Sequence, residues 1–276
     1  MATIVIKIGG GEGIDPTDAT SELAILVEQG HRVVLVHGGS HETNQLAEAL
    51  GHPPRTLTSP SGHESRRTDR HTLEIFMMAY CGKVNKTVVE CLRGAGIDAI
   101  GLSGIDAGIW TGSRKNAIRA VDDGRMVIVR DDLSGRVESV DAEFLNMLLD
   151  NGRVPVLTPP ALTTDGIAIN VDADRAAAAT AAALQADELL LLSNVRGLFS
   201  DPGDPGSLIA SVHPETIESA RHAARGRMKN KVLAAEEAVR AGVQTVIIGS
   251  ALGSSAIADA RRGLGTRFHA TSAATV

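Results

Sequence analysis

Short, nearly continuous apolar runs alternate with stretches of helical periodicity along most of the chain. Residues 3–8 (TIVIKI) are β-branched and too few for a stable helix, so they read as a buried strand. Asp15 followed by Pro16 marks a helix start, and Gly30 supplies its end. The cycle repeats with a strand at 32–39 (RVVLVHGG) and a helix over about 40–50. Helical spacing returns at about 72–93, followed by a strand at 97–104 (IDAIGLSG) and a turn-punctuated stretch at 108–139 that reads as hairpins. Strands at 154–160, 188–195 and 245–249 then alternate with helices near 173–185 and 229–241. Near-continuous apolar strands separated by helices predict a mainly parallel sheet covered on both faces, a three-layer αβα sandwich. No internal repeat or low-complexity linker interrupts it, and the alanines of 176–183 are simply strong helix formers.

In such a sheet ligands collect at the carboxyl ends of the strands, where the glycines sit. Gly9, Gly10 and Gly11 follow the first strand, and Gly38 and Gly39 follow the second. Two glycine turns leading to helix starts can offer backbone N–H groups to phosphate oxygens with no Cβ in the way. Neither matches a dinucleotide or P-loop pattern: Ile14 stands where a GxGxxG starting at Gly9 needs its last glycine, and GxxxxGK[ST] is absent. Lys7 precedes the first turn, and its plainest reading is a solvated strand end. Asp172 and Asp174 precede an alanine-rich helix, which either could cap. Lys229 and Lys231 open another helix, where a cation opposes the macrodipole and calls for compensation, such as an anionic ligand.

Composition narrows the classes. The 276 residues, 43% hydrophobic and 22% charged, suffice for one large domain or two joined lobes. A formal net charge of −6 gives no bulk attraction to nucleic acid or an anionic membrane. No apolar run approaches the ~18 residues of a membrane span, and no signal peptide pattern opens the chain. Cys81 and Cys91 lack disulfide or zinc spacing and read as buried thiols, so a cytoplasmic location is expected.

KIGG, HGG, an N-x-[ND]-x-D segment, an [ST]-[DN]-V-x-G segment and G-x-M-x-x-K occur together, in this order. With them, the chain resembles the amino acid kinase family over essentially its whole length, specifically its acetylglutamate kinase branch. Within that branch it looks most like the kinases that act on glutamate or aminoadipate held on a LysW-type amino-group carrier protein. Residues 37–55, 65–86, 101–115 and 192–198 carry that likeness. The resemblance implies one kinase domain over 1–276, with an acyl-acceptor lobe at about 1–165 and a nucleotide lobe at about 166–276. It implies ATP and Mg²⁺, with no metal ligand directly from the protein.

Position by position, Lys7 matches the lysine that bridges the transferring phosphoryl group, and Lys231 the lysine on the ATP phosphates. Asp174 matches the carboxylate that holds both. Arg66 and Asn170 match amino-acid-binding groups, with Gly38 and Gly39 beside them. Gly10, Gly11, Ser193, Asn194, Val195, Gly197 and Phe199 match the nucleotide-holding segments. Two departures from acetylglutamate kinases stand out: Asn194 in place of aspartate and Ser40 in place of a third glycine.

An acidic carrier calls for a basic rim. Arg67, Arg70 and His71 join Arg66 in one cluster, and Arg114, Lys115 and Arg119 form another; a merely solvated face is the alternative for both. Free N-acetylglutamate is the second substrate reading, and a non-catalytic nucleotide or amino acid sensor the third. A homodimer is expected, because the first strand begins almost at Met1 and leaves no room for the extra helix of hexameric relatives. Ile75, Phe76, Met78 and Ala79 are open to either a dimer face or core packing. His37 reads as structural, and His31, His41, His52, His63 and His222 suggest no metal site.

Overall fold

The computed structural model describes residues 1–60, 64–122 and 125–270. Its elements run β1 (Thr3–Ile8), α1 (Thr20–Glu28), β2 (Arg32–His37), α2 (Ser40–Ala49), β3 (Thr56–Thr58), β4 (Glu64–Arg66), α3 (Arg70–Met77), a π-helical segment (Met78–Val84) and α4 (Asn85–Gly94). The middle of the chain gives β5 (Ala99–Ser103), β6 (Trp110–Arg114), β7 (Ile118–Asp122), β8 (Arg125–Val129), β9 (Gly135–Val140) and α5 (Ala142–Asp150). The remainder forms β10 (Val154–Thr158), β11 (Ala161–Thr163), β12 (Ala168–Ile169), α6 (Ala173–Ala183), β13 (Glu188–Ser193), β14 (Ser211–Val212), α7 (Ile217–Ala223), α8 (Met228–Arg240), β15 (Thr245–Ser250), α9 (Ala256–Arg261) and β16 (Thr266–His269).

The main sheet has the order β14-β16-β15-β13-β1-β2-β10-β5, parallel throughout its centre and antiparallel only between β15 and β16. Alternate residues of each apolar strand supply two separate cores. Val5, Val34, Val36, Leu189, Leu191, Val246 and Ile248 pack with α5, α6 and α8. Ile4, Ile6, Ile8, Val33, Leu35, Leu190, Leu192 and Ile247 pack with α1, α4 and α9. Two helix layers on one sheet make the expected sandwich. Because side chains alternate along a strand, Lys7 shares the face of Val5 and points toward α6 and α8 rather than into solvent.

Two smaller sheets, β12-β11-β6-β9 and β4-β3-β7-β8, account for the hairpin region. Residues 123–124 of that expected stretch, and His63, lie outside the described residues. The helix expected over 72–93 is instead α3 and α4 joined through the π-helical segment. Ile75, Phe76 and Ala79 are buried, which assigns them to the core, whereas Met78 is exposed. Both cysteines are only half-buried; burial still pushes the Cys81 thiol up to about 11. Among the described residues no helix is long and apolar enough to cross a membrane.

The two glycine turns press against each other. A Cβ on Gly10 would lie 2.1 Å from the Gly39 nitrogen and 2.2 Å from the Gly38 carbonyl carbon. Ser40 ties the turns together, its hydroxyl donating to the Gly10 carbonyl at 2.9 Å. A third glycine could not make that bond. His37, at the end of β2, is fully buried and satisfied only as a neutral ring. With its proton on Nδ1 it donates to the Gly38 carbonyl (3.0 Å) and accepts on Nε2 from the Asn85 amide (3.0 Å). A second ring proton would oppose the Asn85 N–H, and burial lowers the ring's pKa to about 4.

Two outcomes follow from this packing. Gly10→Ala should destabilise the fold by about 3 kcal/mol, a Tm fall of roughly 5–10 °C by calorimetry, because backbone must move on both turns. The folded pKa of His37 lies below the unfolded value, so the unfolded chain binds the extra proton. Its contribution is therefore complete above about pH 6.5 and is lost as pH falls toward 4, up to about 3 kcal/mol. Urea titrations across that window should show this slope in the wild type and not in His37→Gln.

Candidate active site

Three elements converge on one carboxylate. Asp174, in the first turn of α6, takes the Lys7 Nζ on Oδ1 at 2.7 Å and the Lys231 Nζ on Oδ2 at 2.9 Å. All three residues are less than 9% exposed. The helix is capped by Asp172, whose Oδ1 accepts from the Arg175 N–H at 3.0 Å, leaving Asp174 free for the lysines. The Asp172 Oδ2 accepts from Asn230 at 2.9 Å and so fastens the start of α8, which carries Lys231, to the start of α6. The compensation demanded by a lysine at a helix start is thus supplied from within the protein by Asp174.

Burial alone would raise the Asp174 carboxyl, but the two ammonium groups hold it well below the usual carboxylate range. Burial works against both cations too. It lowers Lys231, helped by the charge of Lys7, whereas the pair with Asp174 keeps Lys7 raised. Asp172 is raised by burial and by the neighbouring Asp174 charge. Two cations sharing one ionised carboxylate form a dry cationic pair at the carboxyl end of β1.

Arg66 ends β4 and donates through Nη2 to the Asn44 side chain and to the Ser40 carbonyl at 3.4 Å. Its Nη1 is buried and has no hydrogen-bond partner among the described residues. An unsatisfied guanidinium N–H is costly unless a ligand completes it, and its planar fork suits a carboxylate. Asn170 follows β12, its side chain donating to the Thr68 hydroxyl at 3.0 Å and its carbonyl accepting from the Gly135 N–H at 2.9 Å. Gly39 lies against the Tyr80 ring: a Cβ there would meet Cδ2 at 3.0 Å.

On the other side, the Gly9 N–H donates to the Leu192 carbonyl at 2.9 Å, which seats the first glycine turn against the end of β13. Ser193 ends that strand, its Oγ buried and without a partner among the described residues. A Cβ on Gly11 would meet only the Ile14 Cδ1, at 4.0 Å, and Asn194 is exposed. Val195 is half-buried. Gly197 is required by packing, since a Cβ would lie 2.7 Å from the Thr266 hydroxyl. Phe199 forms an isolated antiparallel bridge with Leu208.

The expected basic rim is not a set of free charges. Arg67 is clamped between Asp69 and Asp131, both at 2.7 Å, and Arg70 pairs with Glu74 at 2.9 Å. Arg114 donates to the Asp132 and Arg130 carbonyls at 2.8 and 2.6 Å. Lys115 and Arg119 are exposed. Two cavities border these elements without being lined by Lys7 or Lys231: one of about 420 Å³ against Gly10, Gly38 and Gly39, another of about 500 Å³ against Asp172 and Arg175. Among the described residues no cluster of three His, Cys, Asp or Glu could hold a metal ion.

Sequence reasoning passed over Asn44, Thr68 and Tyr80. Tyr80 left a trace: it is the only tyrosine and stands four residues after Phe76, the spacing of a helical aromatic pair.

The sequence model of the amino acid kinase family matches residues 2–250. The chain is 51% identical over 263 residues to a LysW-aminoadipate kinase of Deinococcus radiodurans, covering 95% of this chain and 90% of that one. It is 48% identical over 265 residues to a LysW-aminoadipate kinase of Thermus thermophilus, covering 95% and 98%. It is 40% identical over 248 residues to an acetylglutamate kinase of Methanopyrus kandleri, covering 88% and 93%. Among solved structures, the fold superposes on carbamate kinase from Giardia lamblia with a TM-score of 0.68 at 19% identity, covering 98% of this chain and 99% of that one. The matched length and the level of identity together place the chain in the amino acid kinase family.

Proposed function

We propose that the protein is an ATP-dependent kinase for the side-chain carboxylate of an amino-group-blocked glutamate or 2-aminoadipate, attached to a LysW-type amino-group carrier protein. The product is an acyl phosphate. The observation that carries this reading is the pair of buried lysines on Asp174, with the unsatisfied Arg66 on the acceptor side. The names of the Deinococcus and Thermus relatives support the carrier-bound substrate.

The chemistry needs few groups. An acceptor carboxylate is ionised at pH 7, so its attack on the γ-phosphorus requires no general base. The barrier lies in bringing two anions together and in the charge that spreads over the transferring phosphoryl oxygens. Lys7, fixed by β1, is assigned to the transferring phosphoryl group and Lys231, fixed by α8, to the remaining phosphates. Both are oriented before substrate arrives, so they stabilise charge without reorganising. Arg66 and Asn170 hold the α-carboxylate end; Gly38 and Gly39 lie beside it. Gly10, Gly11, Ser193, Asn194, Val195, Gly197 and Phe199 hold the nucleotide. The acceptor lobe is then about 1–165 and the nucleotide lobe about 166–276.

Asp174 is already committed to two lysines, and its neighbour Asp172 to a helix cap and Asn230. That donor set fits a Mg²⁺ held by phosphate oxygens of the nucleotide rather than by the protein. The ion, when bound, neutralises β- and γ-phosphate charge. Arg67, Arg70, Arg114, Lys115 and Arg119 form the docking rim for the carrier; Arg67 and Arg70 are paired with carboxylates, so the steering charge comes from Arg114, Lys115 and Arg119. The working unit is a cytoplasmic homodimer.

The test is hydroxamate trapping of acyl phosphate, with aminoadipate and glutamate on the carrier compared against free N-acetylglutamate. Turnover on the carrier, with a KM that rises with salt, is the expected result. Efficient turnover of free N-acetylglutamate would replace the carrier reading. No turnover of any carboxylate would remove the kinase reading.

A further inference from the structure

Thr68 stands two residues past Arg66 and is fully buried. Its backbone is bonded on both sides to the 132–135 segment. The Thr68 N–H donates to Oδ2 of the buried Asp132 at 2.8 Å, and the Thr68 carbonyl accepts from the Leu133 N–H at 2.6 Å. The same segment fixes Asn170, whose N–H donates to the Leu133 carbonyl at 2.8 Å and whose carbonyl accepts from the Gly135 N–H at 2.9 Å. The Asp132 Oδ1 braces the segment by accepting from the Ser134 N–H at 2.7 Å. Thr68 and Asn170, 102 residues apart in the chain, therefore hang from one short stretch of backbone.

The single proton of the Thr68 hydroxyl decides how the Asn170 amide lies. That proton goes to the Arg66 carbonyl at 3.1 Å, which can only accept. Toward Asn170, 3.0 Å away, the Thr68 oxygen is left only to accept, so the amide turns its NH2 group to Thr68. The Asn170 Oδ1 then has no donor among the described residues, and one amide N–H stays open beside it. A ligand meets one acceptor and one donor on the same planar group. The α-carboxylate of an N-acyl amino acid can only accept and takes the open N–H. The acylated α-nitrogen can only donate and takes Oδ1, and both groups belong to the same carbon. Without the Thr68 hydroxyl, the amide can turn over at almost the same shape and set a donor against the acceptor's N–H.

We propose that Thr68 is a positioning residue for the acceptor: its hydroxyl holds the Asn170 amide so that Oδ1 accepts from the N–H of the acceptor's blocked amino group. This rests on the kinase reading given above. Thr68 acts through Asn170, so its loss changes which acceptor is preferred and leaves nucleotide binding alone.

The experiment compares the acceptor that wild type turns over, joined through its amide, with the matching 2-hydroxy acid joined through an ester, which keeps the shape and removes the N–H. Steady-state ADP release is measured for wild type, Thr68→Val and Thr68→Ser, with ATP varied separately and thermal unfolding recorded alongside. Wild type is expected to favour the amide by at least about 10-fold in kcat/KM. In Thr68→Val that preference should shrink to about threefold or less, with KM for ATP within about twofold of wild type, and Thr68→Ser should restore it. A wild type with no preference for the amide would overturn the assignment whether or not the variants fold. So would a Thr68→Val enzyme that keeps the wild-type preference, or a Thr68→Ser enzyme as altered as Thr68→Val, since either result makes Thr68 a packing residue only. An inactive wild type would remove the kinase reading and this assignment together, whereas an active wild type without the preference removes this assignment alone.

Discussion

The carboxylate of Asp174 organises this molecule. It lies between two buried ammonium groups that come from opposite ends of the chain, Lys7 in β1 and Lys231 in α8. Taking three charges out of water costs several kcal/mol per ion, and the geometry offsets this only if all three stay in register. The rest of the fold meets that condition. Period-two alternation turns Lys7 to the α6 face, the Asp172 cap frees Asp174 from capping, and Asn230 binds the two helix starts together. Removing Asp174 would leave two uncompensated cations in the interior. The same surplus of positive charge makes the site suited to a polyphosphate and a carboxylate meeting in it.

Packing of the glycine turns is the second constraint. Gly10, Gly38 and Gly39 are often read as room for phosphates, and here backbone and an aromatic ring already occupy much of that room. The glycines let β1 and β2 end close together, so that the turn after β1 meets both the turn after β2 and the end of β13. Ser40 locks this contact, and a neutral His37 anchors the end of β2 to α4. The two glycine turns and the end of β13 are thereby joined through a few tight backbone contacts.

Much of this was legible in the sequence, for identifiable reasons. The apolar runs at 3–8, 32–39 and 188–195 are long and uninterrupted, so the sheet and its helix layers could be read from periodicity. Lys7, Asp174 and Lys231 stood out because their surroundings are unusual for charged residues, and the family resemblance joined them. Strands β3, β4, β11 and β12 are two or three residues long and carry no periodic signal. Helix α5 escaped although Asp141 caps it, because its pattern follows directly on a strand. The π-helical segment is invisible to a 3.6-residue template, and Tyr80 was missed with it. The basic rim was read as a pattern of charges, whereas Arg67 and Arg70 lie beside carboxylates from their own loop and helix and from the 130–134 segment.

Lys7 is assigned to the transferring phosphoryl group rather than to holding Asp174 in place. This role is tested most directly in Lys7→Ala, with the single-turnover rate of acyl phosphate formation measured at saturating ATP and acceptor and folding checked by circular dichroism. The expected result is a folded protein whose rate falls at least about 100-fold. A folded variant whose rate stays within a few-fold of wild type would contradict it.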